Sequence, residues 1–369
     1  MKWSWKITRL AGIDLYMHAT FLLLIAWIAF SYWLTERSLL AMLDGVLFLL
    51  TIFTCVVLHE LGHALAARQF GIPTRDITLL PIGGVARLER MPEKPAQELW
   101  VALAGPLVNV VIASILFIGL LFTGSLQPLT NLSVSEGNFF ERVMVVNVSL
   151  VIFNLIPAFP MDGGRVVRAL LATRLEYSQA TRIAAALGQT IAFILGIVGL
   201  FNNISLLLVA AFIWISASQE SNQVQVKTKL SKYLVHQAML TDFYTLSPTD
   251  PIARPAQMLL NGSQHDFPVV VDNRVVGLLT RDEVFRNLAK HDDRSLVSYV
   301  MQKDIDVIDS DQSLDEVMLR LHTNGQSILP VVQNGLLVGI ITLENIEEFL
   351  LIRNAKRLRK LGTTPTEWA

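Results

Sequence analysis

His59-Glu60-Leu61-Gly62-His63 sets two imidazoles four residues apart, with a carboxylate directly after the first. On a helix, residues four apart lie one above the other on the same face, so both rings can reach one metal ion. A His-Glu-x-x-His helix is the pattern that holds zinc, and Glu60 is then placed as general base for a water at the metal. A chance match is the alternative, since the chain has seven His. The run before the motif, Leu47 to Leu58, argues against chance because it reads as membrane-buried helix. Ionisable residues at the end of such a run are costly and mark function.

Two His from one helix leave a catalytic zinc in need of a third protein ligand, its fourth position being kept for water. The second chemistry-bearing stretch is Asn154-Leu155-Ile156-Pro157-Ala158-Phe159-Pro160-Met161-Asp162-Gly163-Gly164-Arg165. Pro157 and Pro160 must break a helix, and Gly163-Gly164 lets the backbone turn afterwards. An Asp at such a break can point into a polar pocket, which makes Asp162 the best candidate for the third ligand. The other reading is that Asp162 caps a helix beginning near Gly163.

The elements that must position these residues are membrane helices. The 369 residues are 52% hydrophobic and only 17% charged, with a mean hydropathy of +0.48. A soluble domain carries nearer a quarter charged residues. Almost all of the apolar excess lies before residue 219, so a second, soluble part follows. Six apolar spans are expected, at about 13–33, 40–67, 97–123, 142–157, 179–200 and 203–219, each near the ~20 residues a bilayer needs. The first stays as a helix rather than a signal peptide, because Ser31 to Arg37 offers no small-residue cleavage site. Arg68, Arg75, Arg87, Arg90 and Lys94 follow the second span, and Arg165, Arg168, Arg174 and Arg182 follow the fourth. Positive residues stay on the cytoplasmic side, which puts both termini, the basic loops and both motifs there, in a multi-pass protein of the cell membrane. A formal net charge of −1 gives no global field for nucleic acid, and none is expected as partner. Cys55 is the one cysteine, which excludes an intrachain disulfide and a Cys-based zinc site.

The pair of motifs resembles the site-2 protease family (peptidase family M50), intramembrane zinc metalloproteases, over roughly residues 10–219. Residue by residue, the resemblance implies zinc on His59, His63 and Asp162, with Glu60 as catalytic base. Asn154 matches the family's asparagine near the active site, which implies that it orients substrate or stabilises an oxyanion. The implied substrate is a transmembrane helix of a partner protein. Asp76 to Glu89 reads as two short strands around Gly83-Gly84, the first an edge because Pro81 cannot donate to a ladder. The resemblance implies a membrane-re-entrant β-hairpin here, and such an edge can add an unwound substrate as a further strand; a plain cytoplasmic hairpin is the alternative. Ala104-Gly105-Pro106-Leu107-Val108-Asn109 reads as close helix packing, with Asn109 polar and able to face the site. His18 reads as a polar tip at the membrane interface, or as a residue at the entry to the site, and stays outside the catalytic set.

Beyond a polar linker at 220–235 the chain repeats itself. Phe267 to Thr280 aligns with Leu329 to Thr342 at a constant offset of 62 residues, and Met239 and Met301 keep it upstream. Each copy reads as strand, turn, strand and helix. The pair resembles tandem cystathionine-β-synthase (CBS) domains, over about 232–355. Their Gly-x-x-Thr-x-x-Asp pattern stands here as Gly277-Leu278-Leu279-Thr280-Arg281-Asp282-Glu283 and Gly339-Ile340-Ile341-Thr342-Leu343-Glu344-Asn345. The resemblance implies an adenine nucleotide (ATP, ADP or AMP) at Thr280, Glu283, Thr342 and Asn345, and a homodimer through these domains. Thr hydroxyls at helix starts sit near free N–H groups that suit phosphate, or serve only as caps. Glu283, where the pattern has Asp, is longer than usual.

The expected architecture is therefore a polytopic α-helical membrane domain of about six helices followed by an α/β tandem CBS pair. The expected divisions are 1–219, a linker at 220–235, CBS domains at 236–292 and 293–355, and a basic tail at 356–369, the last seven residues unstructured. The function expected is intramembrane zinc endopeptidase, modulated by the CBS pair. The rival is a CBS-gated transporter or channel, which requires charges along several spans; here they concentrate at the two motifs.

Overall fold

The computed structural model describes residues 3–81, 83–126, 137–262, 264–289, 295–324 and 326–360. The chain forms two compact units, 1–224 and 225–369.

The first unit opens with two strands, β1 (Ser4–Leu10) and β2 (Ile13–His18), where the first membrane helix was expected from residue 13. Ala11 and Gly12 both take positive φ, 49° and 87°, and this turn folds β1 back on β2. In β2 the buried Ile13 and Leu15 alternate with less buried neighbours, a period of two that only a strand can present to one face. Helix α1 (Ala19–Glu36) starts after His18, whose Nδ1 accepts from the Thr20 amide at 3.3 Å. His18 is thus a helix cap. Helix α2 (Leu39–Gln69) carries the His-Glu-x-x-His motif near its C-terminal end. Strands β3 (Thr74–Leu80) and β4 (Gly83–Leu88) complete a sheet of order β1-β2-β3-β4.

That order corrects the expectation that β3 is an edge. β3 pairs in parallel with β2 and antiparallel with β4, and Pro81 stands beyond its end. The edge beside the hairpin is β4. The inner sheet face packs Ile13, Leu15, Ile77 and Leu79 against Phe21, Phe53, Val57 and Ala64 of α1 and α2.

Helices α3 (Pro95–Phe122), α4 (Phe139–Asn154), α5 (Asp162–Ala172), α6 (Tyr177–Asn202) and α7 (Ile204–Leu230) follow. Among the described residues, five helices, α1, α2, α3, α6 and α7, are long and apolar enough to cross a membrane. The expected span at 142–157 is the exception: α4 has 16 residues, short of the ~20 that a bilayer needs. Helix α7 also runs through most of the expected linker, to Leu230. Many large side chains on these helices face outward, among them Leu23, Trp27, Phe30, Phe122 and Phe193, as befits lipid rather than water as the surrounding solvent.

The second unit is built on β5 (Phe267–Val271) with β6 (Arg274–Leu279), and on β7 (Ile308–Asp309), β8 (Ile328–Gln333) and β9 (Leu336–Thr342). Helices α8 (Ala253–Asn261), α9 (Arg281–Leu288), α10 (Val297–Val300), α11 (Leu314–Asn324) and α12 (Leu343–Lys360) pack around them. The 62-residue offset survives in the backbone: Leu246 bridges Val269 in parallel, and Ile308 bridges Val331 likewise. The two copies exchange their leading segments. Leu240 exchanges backbone hydrogen bonds with Ile340, and Gln302 with Leu278. Met239 packs on Gly339 and Met301 on Gly277, where an added Cβ would meet sulfur at 2.6 and 2.4 Å. Arg353 of α12 lies over the rings of Tyr233 and Phe349. The segment expected to be unstructured lies outside the described residues.

Candidate metal centre

Helix α2 presents His59 and His63 inward, and the two rings stack edge to face with centroids 4.8 Å apart. Close approach by α3 makes this possible. A Cβ on Gly62 would stand 2.8 Å from the Ala104 carbonyl, and one on Gly105 would stand 2.2 Å from His63 Nε2 and 2.7 Å from His59 Nε2. The small residue read from sequence as a packing contact is therefore also what leaves room for the rings.

Asp162 arrives from the opposite side. It is the first residue of α5, with Met161 at the cap position and no side-chain cap bond, so the capping alternative is not what the carboxylate does. Its Oδ2 lies 3.2 Å from His59 Nε2 and 3.0 Å from His63 Nε2, and the two Nε2 atoms are 3.1 Å apart. Gly163 and Gly164 lie within α5 and do not turn the chain. They let the 155–159 loop pack on the helix, where added Cβ atoms would stand 2.2 Å from the Ile156 carbonyl and 2.7 Å from Ala158.

The outer ring nitrogens decide what the inner ones offer. His63 Nδ1 is 2.7 Å from the Val101 carbonyl and must donate to it. His59 Nδ1 is 3.2 Å from Asn109 Oδ1 and donates there. Both Nε2 atoms then turn bare lone pairs toward each other and toward a carboxylate, an arrangement that repels unless a cation lies among them. Ligand atoms ~2.0–2.1 Å from a shared tetrahedral zinc stand about 3.3 Å apart, close to the 3.0–3.2 Å found. Outer hydrogen bonds of this kind fix tautomer and ring orientation in zinc sites. The donor set fits zinc. Among the described residues, His59, His63 and Asp162 are the one group of three or more His, Cys, Asp or Glu side chains placed to share an ion.

Glu60 Oε2 accepts from the Ala86 amide of β4 at 3.3 Å, and Gly84 leaves room for its stem, an added Cβ there standing 3.0 Å from Glu60 Cγ. The expected base is thus held between the metal helix and the edge strand. Asn154 is the last residue of α4 and half-buried; no hydrogen bond described for this chain ties it to the His–Asp cluster. Asn109, fully buried, does make that link. The sequence reading has it as a polar residue able to face the site, which is where it lies.

In the second unit, Thr280 and Glu283 form a reciprocal capping box at the start of α9, with the Thr280 amide donating to Glu283 Oε2 at 2.9 Å. Asn345 Oδ1 accepts from the Thr342 amide at 3.1 Å and from its hydroxyl at 2.9 Å. All four residues expected to bind nucleotide are engaged in helix starts. These contacts satisfy the two helix starts.

Comparison with known proteins places two kinds of domain on the chain. The model of "Peptidase family M50" matches residues 47–136 and 131–198, and that of "CBS domain" matches 235–290 and 297–352. Zinc metalloprotease MJ0392 of Methanocaldococcus jannaschii is 33% identical over 358 residues, covering 96% of this chain and 98% of that protein. Stage IV sporulation protein FB of Bacillus subtilis is 26% identical over 64% of this chain and 81% of its own length. Among solved structures, a site-2 protease from Methanocaldococcus jannaschii is 35% identical, with a TM-score of 0.44, over 59% of this chain and 95% of that one.

Proposed function

Because the chain belongs to peptidase family M50, we propose that His59, His63 and Asp162 hold the zinc at which it cuts a peptide bond of a membrane-embedded substrate. The protein is an intramembrane zinc metalloprotease carrying two CBS domains. The observation that carries the residue assignment is the triangle of buried ligand atoms at 3.0–3.2 Å, with both outer ring nitrogens tied to Val101 and Asn109.

Zinc, when bound, supplies a Lewis acid for the scissile carbonyl and a water of lowered pKa. The chain's own residues do the rest. Glu60 takes the proton from the attacking water and returns it to the leaving amine, its carboxylate aimed by the Ala86 amide. A helical substrate shields its peptide bonds, so the substrate enters extended and lies along the β4 edge as an added strand. Asn154, at the end of α4, orients that strand or an oxyanion. Water must reach the site, which suits a centre near the cytoplasmic end of α2, with both termini and the CBS pair on that side.

The CBS pair takes an adenine nucleotide and associates into a homodimer, and its loading modulates cleavage. Support for the nucleotide is the domain match and the repeated Thr at the helix starts after β6 and β9. Isothermal titration of the full chain with ATP, ADP and AMP tests it; no heat with any of them removes this part of the reading.

The catalytic reading is tested with wild type and Glu60→Gln reconstituted beside a single-pass substrate. The expected result is zinc retained in both and cleavage lowered by about 10²–10⁴-fold in the variant, the range for loss of a general base. Equal cleavage by the two proteins would overturn the assignment of Glu60.

A further inference from the structure

We propose that Arg168 is a positioning residue for the metal centre, clamped by Glu98 and Glu220 so that α5 delivers Asp162 to the two His. The inference rests on the reading of Asp162 as a zinc ligand.

Arg168 is 1% exposed and Glu98 is 0% exposed. Arg168 Nε donates to Glu98 Oε1 of α3 at 2.7 Å, Nη2 stands 2.6 Å from the same oxygen, and Nη1 donates to Glu220 of α7. The guanidinium also lies 5.0 Å from the ring of Phe159, in the loop before α5, and 4.9 Å from that of Tyr177 at the start of α6. One side chain therefore joins α5 to three other helices and to its own lead-in loop.

Helix α5 has 11 residues, about 16 Å at 1.5 Å per residue, and its first residue is the ligand. Asp162 and Arg168 are six positions apart, so Arg168 never touches the metal group and acts through the helix. A turn or slide of α5 would carry the Asp162 carboxylate away from the rings. Taking an arginine out of solvent is costly unless it is paired, and apolar residues often replace such pairs with no loss of stability. Keeping the pair here gives one defined setting of α5, fixed by a planar fork that lysine does not reproduce.

The test uses the full chain in detergent, comparing wild type with Arg168→Lys, Glu220→Gln and Asp162→Ala. Zinc affinity is measured by chelator competition, and the cobalt-loaded proteins are compared by visible spectrum. Arg168→Lys is expected to weaken zinc about ten- to hundred-fold, the range for groups that support metal ligands. It should also shift the cobalt bands and lower kcat at unchanged KM. Glu220→Gln, at a partly exposed residue, should move the same readouts in the same direction and by less. Should Arg168→Lys fail to fold, Glu220→Gln decides alone. Folded variants with wild-type zinc affinity and unchanged cobalt spectra, even at lowered Tm, would overturn the clamp. Wild-type zinc affinity in Asp162→Ala would instead overturn the ligand reading beneath it.

Discussion

Asn109 and Gly105 shape the metal centre without being ligands, and each gives a direct test. Asn109→Leu removes the acceptor that holds His59 Nδ1 and frees the ring to rotate. Zinc affinity is expected to fall about ten- to hundred-fold, measured by chelator competition, with the helix content of the purified chain unchanged. Gly105→Ala places a methyl 2.2 Å from His63 Nε2, so the expected outcome is a protein that inserts in membrane but holds no zinc. Residue types and spacing made His59, Glu60 and His63 legible from the sequence, and the Pro-flanked break made Asp162 legible. Asn109 was legible only as a polar residue able to face the site, and the pairing of Arg168 with Glu98 was not legible, because such roles are set by contacts across the fold. Asn109 lies 50 positions from His59, and Glu98 lies 70 from Arg168. No local period links such pairs.

Among the elements, β4 bears most directly on the chemistry. Its Ala86 amide points outward to Glu60 rather than into the ladder with β3. Ala86→Pro removes that one donor at an edge position, where proline is tolerated. Cleavage is expected to fall at least about tenfold while zinc content holds, read by substrate assay and metal analysis on the same sample. The hairpin itself was legible from Gly83-Gly84 between short apolar runs. Its place in the sheet was not, because β2 lies in a segment read as the start of a membrane helix, and β1 precedes that segment. The alternation of Ile13 and Leu15 with Asp14 and Tyr16 is the signal that separates strand from helix there. Helix α4 was likewise read as a span from its hydropathy. Its 16 residues end at Asn154, so the break that frees Asp162 also leaves it short.

Over the whole molecule, the sharp fall in hydropathy near residue 219 separated the membrane part from the repeats, and the 62-residue offset anticipated the paired architecture of the second unit. The reciprocal exchange of Met239 and Met301 between copies was not visible, because the offset alone does not say which copy a leading segment packs on. Gly277→Val and Gly339→Val each crowd the other copy's methionine. Each should destabilise the second unit by about 1–3 kcal/mol, seen as a lowered denaturant midpoint, and leave zinc content unchanged. The transporter alternative raised by the CBS pair gives way to the M50 family match. The claim on which everything else depends is that one zinc per chain sits on two imidazoles and one carboxylate. Zinc-edge X-ray absorption of the purified full chain, beside Asp162→Ala, tests it most directly. One zinc with only nitrogen and oxygen neighbours at ~2.0–2.2 Å, two of them imidazole, and lost or weakened in the variant, is the expected result. A chain without zinc, or zinc bound equally well without Asp162, would contradict it.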